Sequence, residues 1–362
     1  MLIVLTKSFL KLVFIIYPKA KDMYIVLLQI GKFINMYTYK RDMNKIILDK
    51  IDKKLLSYLI HNFREPISKI SKECKISREQ TKYRIKKYEK NNLILNYLTL
   101  FNLSHFGFKV KYGIKLRVRS PTIEKLKKIK STKDVVVLTK ALTFGRWDFF
   151  LNVFFKKEEN VLSFISSIYN LLGEDLLNYE IYSPISIFWF PLKIFDHKTG
   201  DKNLTFEKNN SIELDELDKK IIQIISTQAN IKLVDLSNKL NRSSEIISYR
   251  LKRLEKTIIV GYRIFLNLDI IEYKLSIINI KINNFSQKVK NQMLTYAEQS
   301  KLIHAFIYSI GNYNVSFQII YKRPKELSQE ISKIKELFGE HIIDYEIVSI
   351  EKELTPQTLP KL

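Results

Sequence analysis

Cys74 is the single cysteine in this 362-residue sequence, which excludes an internal disulfide framework and any thiolate-rich zinc site. Histidine is scarce too. The five present form no HxxxH pair, so nothing in their spacing suggests a histidine metal centre. A GxxxxGK[ST] phosphate loop, a GxSxG elbow and an HExxH helix are all missing. Long apolar runs are missing as well: Phe9 to Tyr17 and Met23 to Ile30 are interrupted by Lys11, Lys19 and Lys21 before either reaches the roughly 18 residues of a membrane-spanning helix. No small-residue cleavage site follows them, so a secretory signal is not indicated. Residues 1–45 read as an N-terminal extension, with Met43 the natural first residue. These absences leave an expectation of a cytoplasmic chain with no cofactor, no metal and no membrane partner.

What is present is length, aromatic residues and positive charge. Single cores rarely grow beyond about 250 to 300 residues, so several domains are expected. Twenty Tyr and 22 Phe can fill several small cores and argue against general disorder. Lys and Arg number 61 against 37 Asp and Glu, a net charge of +24, which attracts nucleic acid or an anionic surface. The abundance of Ile, Lys and Asn also fits the codon bias of an AT-rich genome, so the location of the charge matters more than its sum.

An internal repeat organises the chain. The segment LDKIDKKLL at Leu48–Leu56 recurs as LDELDKKII at Leu214–Ile222, an offset of 166 residues. At that offset YRIKKYEK at Tyr83–Lys90 meets YRLKRLEK at Tyr249–Lys256. A polar stretch holding Gly200, residues 196–211, reads as the linker between halves.

Each half opens with three helical patterns. In the first half Ile51, Leu55, Leu56 and Leu59 share one face, then Ile67, Ile70 and Cys74, then Thr81, Ile85 and Tyr88. The second half repeats them with Leu217, Ile221, Ile222 and Ile225, then Leu233, Leu236 and Leu240, then Ile247, Leu251 and Leu254. Three helices with a short turn before the third form a helix-turn-helix pattern. The third helix begins at Ser77 and at Ser243, residues suited to capping free N–H groups. Gln80 is placed to complete a capping box in the first copy. The apolar alternation that follows, ending near Tyr97 and Tyr262, reads as a wing strand.

The period then changes. Val110 to Val118 alternates as a strand, Pro121 to Lys130 reads as a helix, Val135 to Leu142 and Trp147 to Phe155 as a hairpin around Gly145. Glu158 to Leu172 is amphipathic, and Tyr179 to Phe190 closes as a strand. The order is βαββαβ, the ferredoxin-like arrangement, and residues 274–352 repeat it with Gly311 in the hairpin and Pro324 opening the second helix. The expected fold is therefore α+β: helix-turn-helix units at 46–104 and 212–270, ferredoxin-like domains at 105–195 and 271–354, and a tail at 355–362.

With Thr81, Ile85 and Tyr88 inward, 3.6 residues per turn places Glu79, Lys82, Tyr83, Lys86 and Lys90 outward, with Arg78, Arg84 and Lys87 on the flanks. Such a helix fits the major groove of double-stranded DNA, where first-turn and outward side chains reach base edges and flanking cations reach phosphates. The candidate DNA-binding set is Ser77, Arg78, Glu79, Gln80, Lys82, Tyr83, Arg84, Lys86 and Lys87. Its counterpart is Ser243, Ser244, Glu245, Ser248, Tyr249, Arg250, Lys252 and Arg253. Residues 43–104 hold 14 basic and 6 acidic residues, whereas residues 213–269 hold 10 and 8. The first unit should thus contribute more salt-sensitive affinity.

At these motifs, together with IVGY at Ile259–Tyr262 and GRWD at Gly145–Asp148, the sequence resembles the Lrp/AsnC, or feast/famine, family of transcription regulators. The resemblance spans about residues 46 to 352. It implies a winged helix-turn-helix joined to a sensor domain whose sheets pair between subunits, so that two fused halves form an internal pseudo-dimer able to assemble further. It also implies an amino-acid-like effector near the hairpins, at Gly145 and Asp148 and at Gly311 and Asn314, although Asn314 departs from the family's acidic residue. Some tandem proteins similar to this family are siroheme decarboxylases, expected to carry His, Tyr and Arg on the sensor sheet beside an Asn-X-Trp-Phe motif. Here the first hairpin reads Arg146-Trp147-Asp148-Phe149-Phe150 with no His, and the second has His304, Tyr308 and Asn314 followed by Val315-Ser316-Phe317. A regulator is therefore expected, with a siroheme-decarboxylase-like enzyme and an interaction module that has lost DNA binding as the alternatives.

Overall fold

A computed structural model describes residues 45–129, 135–195, 213–283, 286–354 and 358–359. Both the extension before residue 45 and the linker expected at 196–211 lie outside the described residues. Among the described residues, no helix is long and apolar enough to cross a membrane.

The first half begins with α1 (Lys50–Asn62), α2 (Ile67–Cys74) and α3 (Arg78–Lys90), followed by β1 (Ile94–Phe101). Asp49 and Asp52 start α1 by a reciprocal capping box: Asp52 N–H donates to Asp49 Oδ1 at 2.7 Å and Asp49 N–H to Asp52 Oδ2 at 3.1 Å. Lys75 ends α2 in the left-handed conformation, φ 58°, which sets the sharp turn before α3. Next come β2 (Val110–Val118), α4 (Ile123–Lys128), β3 (Val135–Phe144), β4 (Phe149–Phe155), α5 (Asn160–Leu172) and β5 (Leu176–Trp189). The second half repeats the series as α6 (Glu216–Thr227), α7 (Leu233–Leu240), α8 (Ser244–Thr257), β6 (Ile259–Leu266), β7 (Lys274–Ile282), α9 (Gln287–Gln299), β8 (Ile303–Ile310), β9 (Val315–Tyr321), α10 (Pro324–Phe338) and β10 (Ile342–Leu354). Pro324 occupies the first turn of α10, where its missing N–H costs nothing.

Each half has the ferredoxin-like strand order, but the two sheets do not end separately. Among the described residues they join into a closed barrel, β10-β3-β4-β2-β5-β8-β9-β7. Two long strands make the closure. The first part of β5 pairs with β2, and from Ser183 to Trp189 it pairs with β8 of the other half. Likewise β10 pairs with β7 and then, from Ser349 to Leu354, with β3. Closing the sheet removes the open edges that would otherwise invite aggregation. Inside the seam, Lys115 is 2 % exposed and is held by Glu180 at 3.0 Å and Glu346 at 2.5 Å, one carboxylate from each half.

The strands expected as wings behave differently from a local hairpin. β1 and β6 pair with each other, antiparallel, across the two halves. Each trihelical core is completed by the opposite half: Ile264, Ile270, Ile271 and Ile320 pack into the first, and Phe101, Leu103, Phe108 and Phe154 into the second. The expected C-terminal tail takes part too, since Leu359 is buried in the second core and Thr358 Oγ1 donates to the Ser226 carbonyl at 3.4 Å. Apolar faces too small to bury themselves within one trihelical unit are covered by exchange.

Candidate nucleic-acid interface

Both third helices start where the sequence places them. Ser77 Oγ accepts from Gln80 N–H at 3.1 Å and Ser243 Oγ from Ile246 N–H at 3.4 Å. The capping box expected from Gln80 is not formed; the boxes lie two helices earlier, at Asp49–Asp52 and Asp215–Asp218. The inward face is as expected, with Thr81 and Tyr88 buried in the first copy and Ile247, Leu251 and Leu254 in the second.

The outward face lies open in both copies. Arg78, Glu79, Gln80, Lys82, Tyr83, Lys86 and Lys87 are exposed on α3, as is Ser77 before it. On α8 Glu245, Tyr249 and Lys252 are exposed, Ser243 before it is exposed, and Ser244 and Ser248 are half-buried. Tyr83 and Tyr249, one repeat apart, are 69 % and 68 % exposed. An aromatic ring left in water at the same outward position of two helices is not needed by either core.

Three of the candidate contacts have other work. Arg84 binds Asp52 and also Asp49, the latter at 2.9 Å, and Tyr88 Oη donates to Asp52 Oδ1 at 2.6 Å. In the second copy Arg250 binds Asp215 and, at 3.2 Å, Asp218, while Arg253 binds the other oxygen of Asp218. Asp52 and Asp218 are buried, and a buried carboxylate requires such partners. These arginines thus fasten the third helix to the N-terminus of the first rather than projecting toward a phosphate. Helical phase alone placed them on the flank, and the aspartates that capture them lie more than thirty residues away in sequence.

The hairpin positions are also engaged. Asp148 Oδ2 accepts from Val118 N–H at 2.8 Å, and Asn314 Oδ1 accepts from Ile282 N–H at 2.9 Å while its Nδ2 donates to the Ile282 carbonyl at 3.2 Å. Each side chain secures the end of the first sensor strand of its half, and the acid-to-amide change preserves that task. Gly145 has φ +129°, a conformation that excludes side chains. At Gly311 a Cβ would meet Tyr182 Cβ at 2.7 Å. The four residues therefore share a backbone role. Among the described residues, no group of three or more His, Cys, Asp or Glu is placed to hold a metal ion.

Comparison with known proteins agrees with the division into two units. Residues 48–89 match the AsnC-type helix-turn-helix domain and residues 214–257 match the winged helix-turn-helix DNA-binding family. An uncharacterized HTH-type transcriptional regulator of Pyrococcus abyssi is 23 % identical over 135 residues, 37 % of this chain and 91 % of that protein. An HTH-type transcriptional regulator of Methanocaldococcus jannaschii is 28 % identical over 129 residues, 35 % of this chain and 86 % of that protein. Each relative thus corresponds in length to one half of the tandem. Among solved structures, the siroheme decarboxylase NirDL superposes with a TM-score of 0.53 at 13 % identity, covering 84 % of this chain and 92 % of that one. At that identity the likeness is one of fold.

Proposed function

We propose that this chain, which carries an AsnC-type and a second winged helix-turn-helix domain, is a sequence-specific, double-stranded-DNA-binding transcription regulator of the Lrp/AsnC type in which one polypeptide takes the place of a dimer. The observation that carries this reading is the pair of Ser-capped third helices whose outward faces, each with an exposed tyrosine, are left uncovered by the other described residues. In this reading Arg78, Lys82, Lys86 and Lys87 meet phosphates or base edges, Tyr83 and Tyr249 contact the groove, and α8 adds Glu245, Ser248 and Lys252. The sequence read is set by these outward residues, while Arg84, Arg250 and Arg253 hold the helices that present them.

The test is fluorescence anisotropy of labelled duplex DNA with the full chain across a salt series. Binding should weaken roughly a thousandfold between 50 and 200 mM salt if six or so phosphates are engaged. No binding at low salt would remove the proposal. Further assembly of chains, by analogy with stacked dimers, is part of the same reading and is checked by sedimentation. An amino-acid effector at Gly145, Asp148, Gly311 and Asn314 rests on the resemblance alone, and equilibrium dialysis with amino acids tests it.

A second reading, a siroheme-decarboxylase-like enzyme, is favoured by the NirDL fold match and by His304 standing beside Arg263. Against it, Val315-Ser316-Phe317 stands where the expected Trp motif would be. Loss of carboxyl groups from siroheme on incubation with the chain would establish that reading instead.

A further inference from the structure

Between the β1–β6 ribbon and one end of the barrel lies a cavity of about 150 Å³. Leu98 and Leu100 of β1 and Ile264 of β6 contribute from the ribbon, and Trp189, Ile277 and Ile320 from the barrel side. This largely apolar lining is broken by the neutral Asn152, Gln318 and Thr358 and by three ionisable groups, Arg263 of β6, His304 of β8 and Glu353 of β10. All three belong to the second half. Where the repeat sets Arg263, the first half has Leu98, so this charge has no counterpart in the first half.

The three groups satisfy one another only in part. The Arg263 guanidinium contacts His304 Nε2 and lies over the Trp189 ring, 4.9 Å from its centroid. His304 is 3 % exposed. Burial, followed by the neighbouring Arg263 charge, pushes its pKa well below the usual histidine value, so at neutral pH the ring is uncharged and its Nε2 accepts. Burial lowers the Arg263 pKa to about 10, which leaves it a cation at neutral pH. Burial also raises the Glu353 carboxyl, with Arg263 pulling partly back. Among the described residues Arg263 and Glu353 close no ion pair with each other, although they share the cavity. Buried charges are as a rule paired, and a guanidinium has five N–H donors, of which His304 takes one.

We propose that this cavity binds a small monocarboxylate with an aliphatic or aromatic body, its carboxylate on the Arg263 guanidinium and its body against Leu98, Leu100, Trp189 and Ile320. The fork of N–H groups on arginine matches a carboxylate with two parallel hydrogen bonds. An apolar cavity of about 150 Å³ accommodates a benzene-sized molecule, so benzoate and 4-methylpentanoate are of the right class, whereas nucleotides and tetrapyrroles are too large. The ribbon that roofs the cavity follows directly from both third helices, so occupancy bears on DNA binding as well. That consequence rests on the regulator reading, while the binding site does not.

The experiment is titration of the full chain, without DNA, by calorimetry and by tryptophan fluorescence, since Trp189 forms part of the wall. Benzoate or 4-methylpentanoate should bind saturably, benzamide should bind at least about tenfold more weakly for want of the charge-assisted bonds, and Arg263→Gln should lose at least about tenfold. Leu98→Phe, which fills the cavity from its uncharged side, should block binding even where Arg263→Gln does not fold. The assignment is overturned by no saturable binding at millimolar carboxylate, by equal affinity for benzamide, or by binding that survives Leu98→Phe. Tighter binding of leucine than of 4-methylpentanoate would also overturn it, because Glu353 would then be reading an ammonium group.

Discussion

The two third helices share a serine cap and an outward tyrosine, and they differ in what their cations do. In the first copy the buried Asp52 is satisfied by Arg84 and by the Tyr88 hydroxyl. In the second, Leu254 stands where Tyr88 was, and Asp218 takes a second arginine, Arg253, in its place. The residue of the first copy corresponding to Arg253 is Lys87, which stays exposed. Thus α3 exposes Arg78, Lys82, Lys86, Lys87 and Lys90, while α8 exposes Lys252 and Lys256. A tyrosine hydroxyl exchanged for a guanidinium within the fold removes a cation from the surface. Net charge over a segment therefore does not by itself measure the contrast between the copies, because it counts engaged and exposed arginines alike.

The largest expected effect is on the second lock. Asp218→Ala leaves Arg250 and Arg253 without their shared carboxylate and should cost about 3 kcal/mol in urea unfolding; Asp52→Ala should cost less, because one of its partners is a neutral hydroxyl. Equal costs would show that Arg253 does not carry the difference. Next, Lys86→Ala should weaken DNA binding by about 1 to 3 kcal/mol if it reaches a base edge, and Lys252→Ala by less, both read by anisotropy. Equal losses would show that the two helices contribute alike. Arg84→Gln separates the two roles: stability should fall by about 1 to 2 kcal/mol, with the salt slope of DNA binding unchanged, whereas Lys86→Ala should leave the unfolding midpoint in place.

A smaller effect appears in acid. The Asp218 backbone N–H, then Arg250, lower the Asp215 carboxyl to about 2 from an ordinary 3.8. A depressed carboxyl stabilises the fold at pH values above its unfolded value, and that stabilisation disappears as pH falls through about 2. Asp215→Asn should remove this component of the acid transition followed by circular dichroism. The smallest change is expected at the hairpins, where Asn314→Asp should cost about 1 kcal/mol through loss of the Nδ2 bond to Ile282.

Much of this architecture was legible in the sequence because it is governed by short-range rules. Helical phase places Leu55, Leu56 and Leu59 inward on α1, Ser77 and Ser243 accept the N–H groups that open α3 and α8, and the switch from helical to alternating period marks the sensor strands. The repeat supplied the division into halves. What periodicity does not carry is the partner of each strand and each charge. Nothing local in IVGY says that β6 pairs with β1 rather than folding back as a wing, and nothing in the flank of a helix says that Arg84 will meet Asp52.

The sequence by itself determined two helix-turn-helix units, two βαββαβ sensors and the faces that remain outside, since these follow from contacts a few residues apart. Only the tertiary structure decided that the sheets close into one barrel, that each trihelical core borrows side chains from the other half, and which arginines are held in place. It also brought Arg263, His304 and Glu353, from three separate strands, to one cavity. The reason is physical: a buried charge or an unpaired strand is satisfied by whatever the fold brings near it, and that neighbour is set by long-range packing rather than by the residues beside it in the chain.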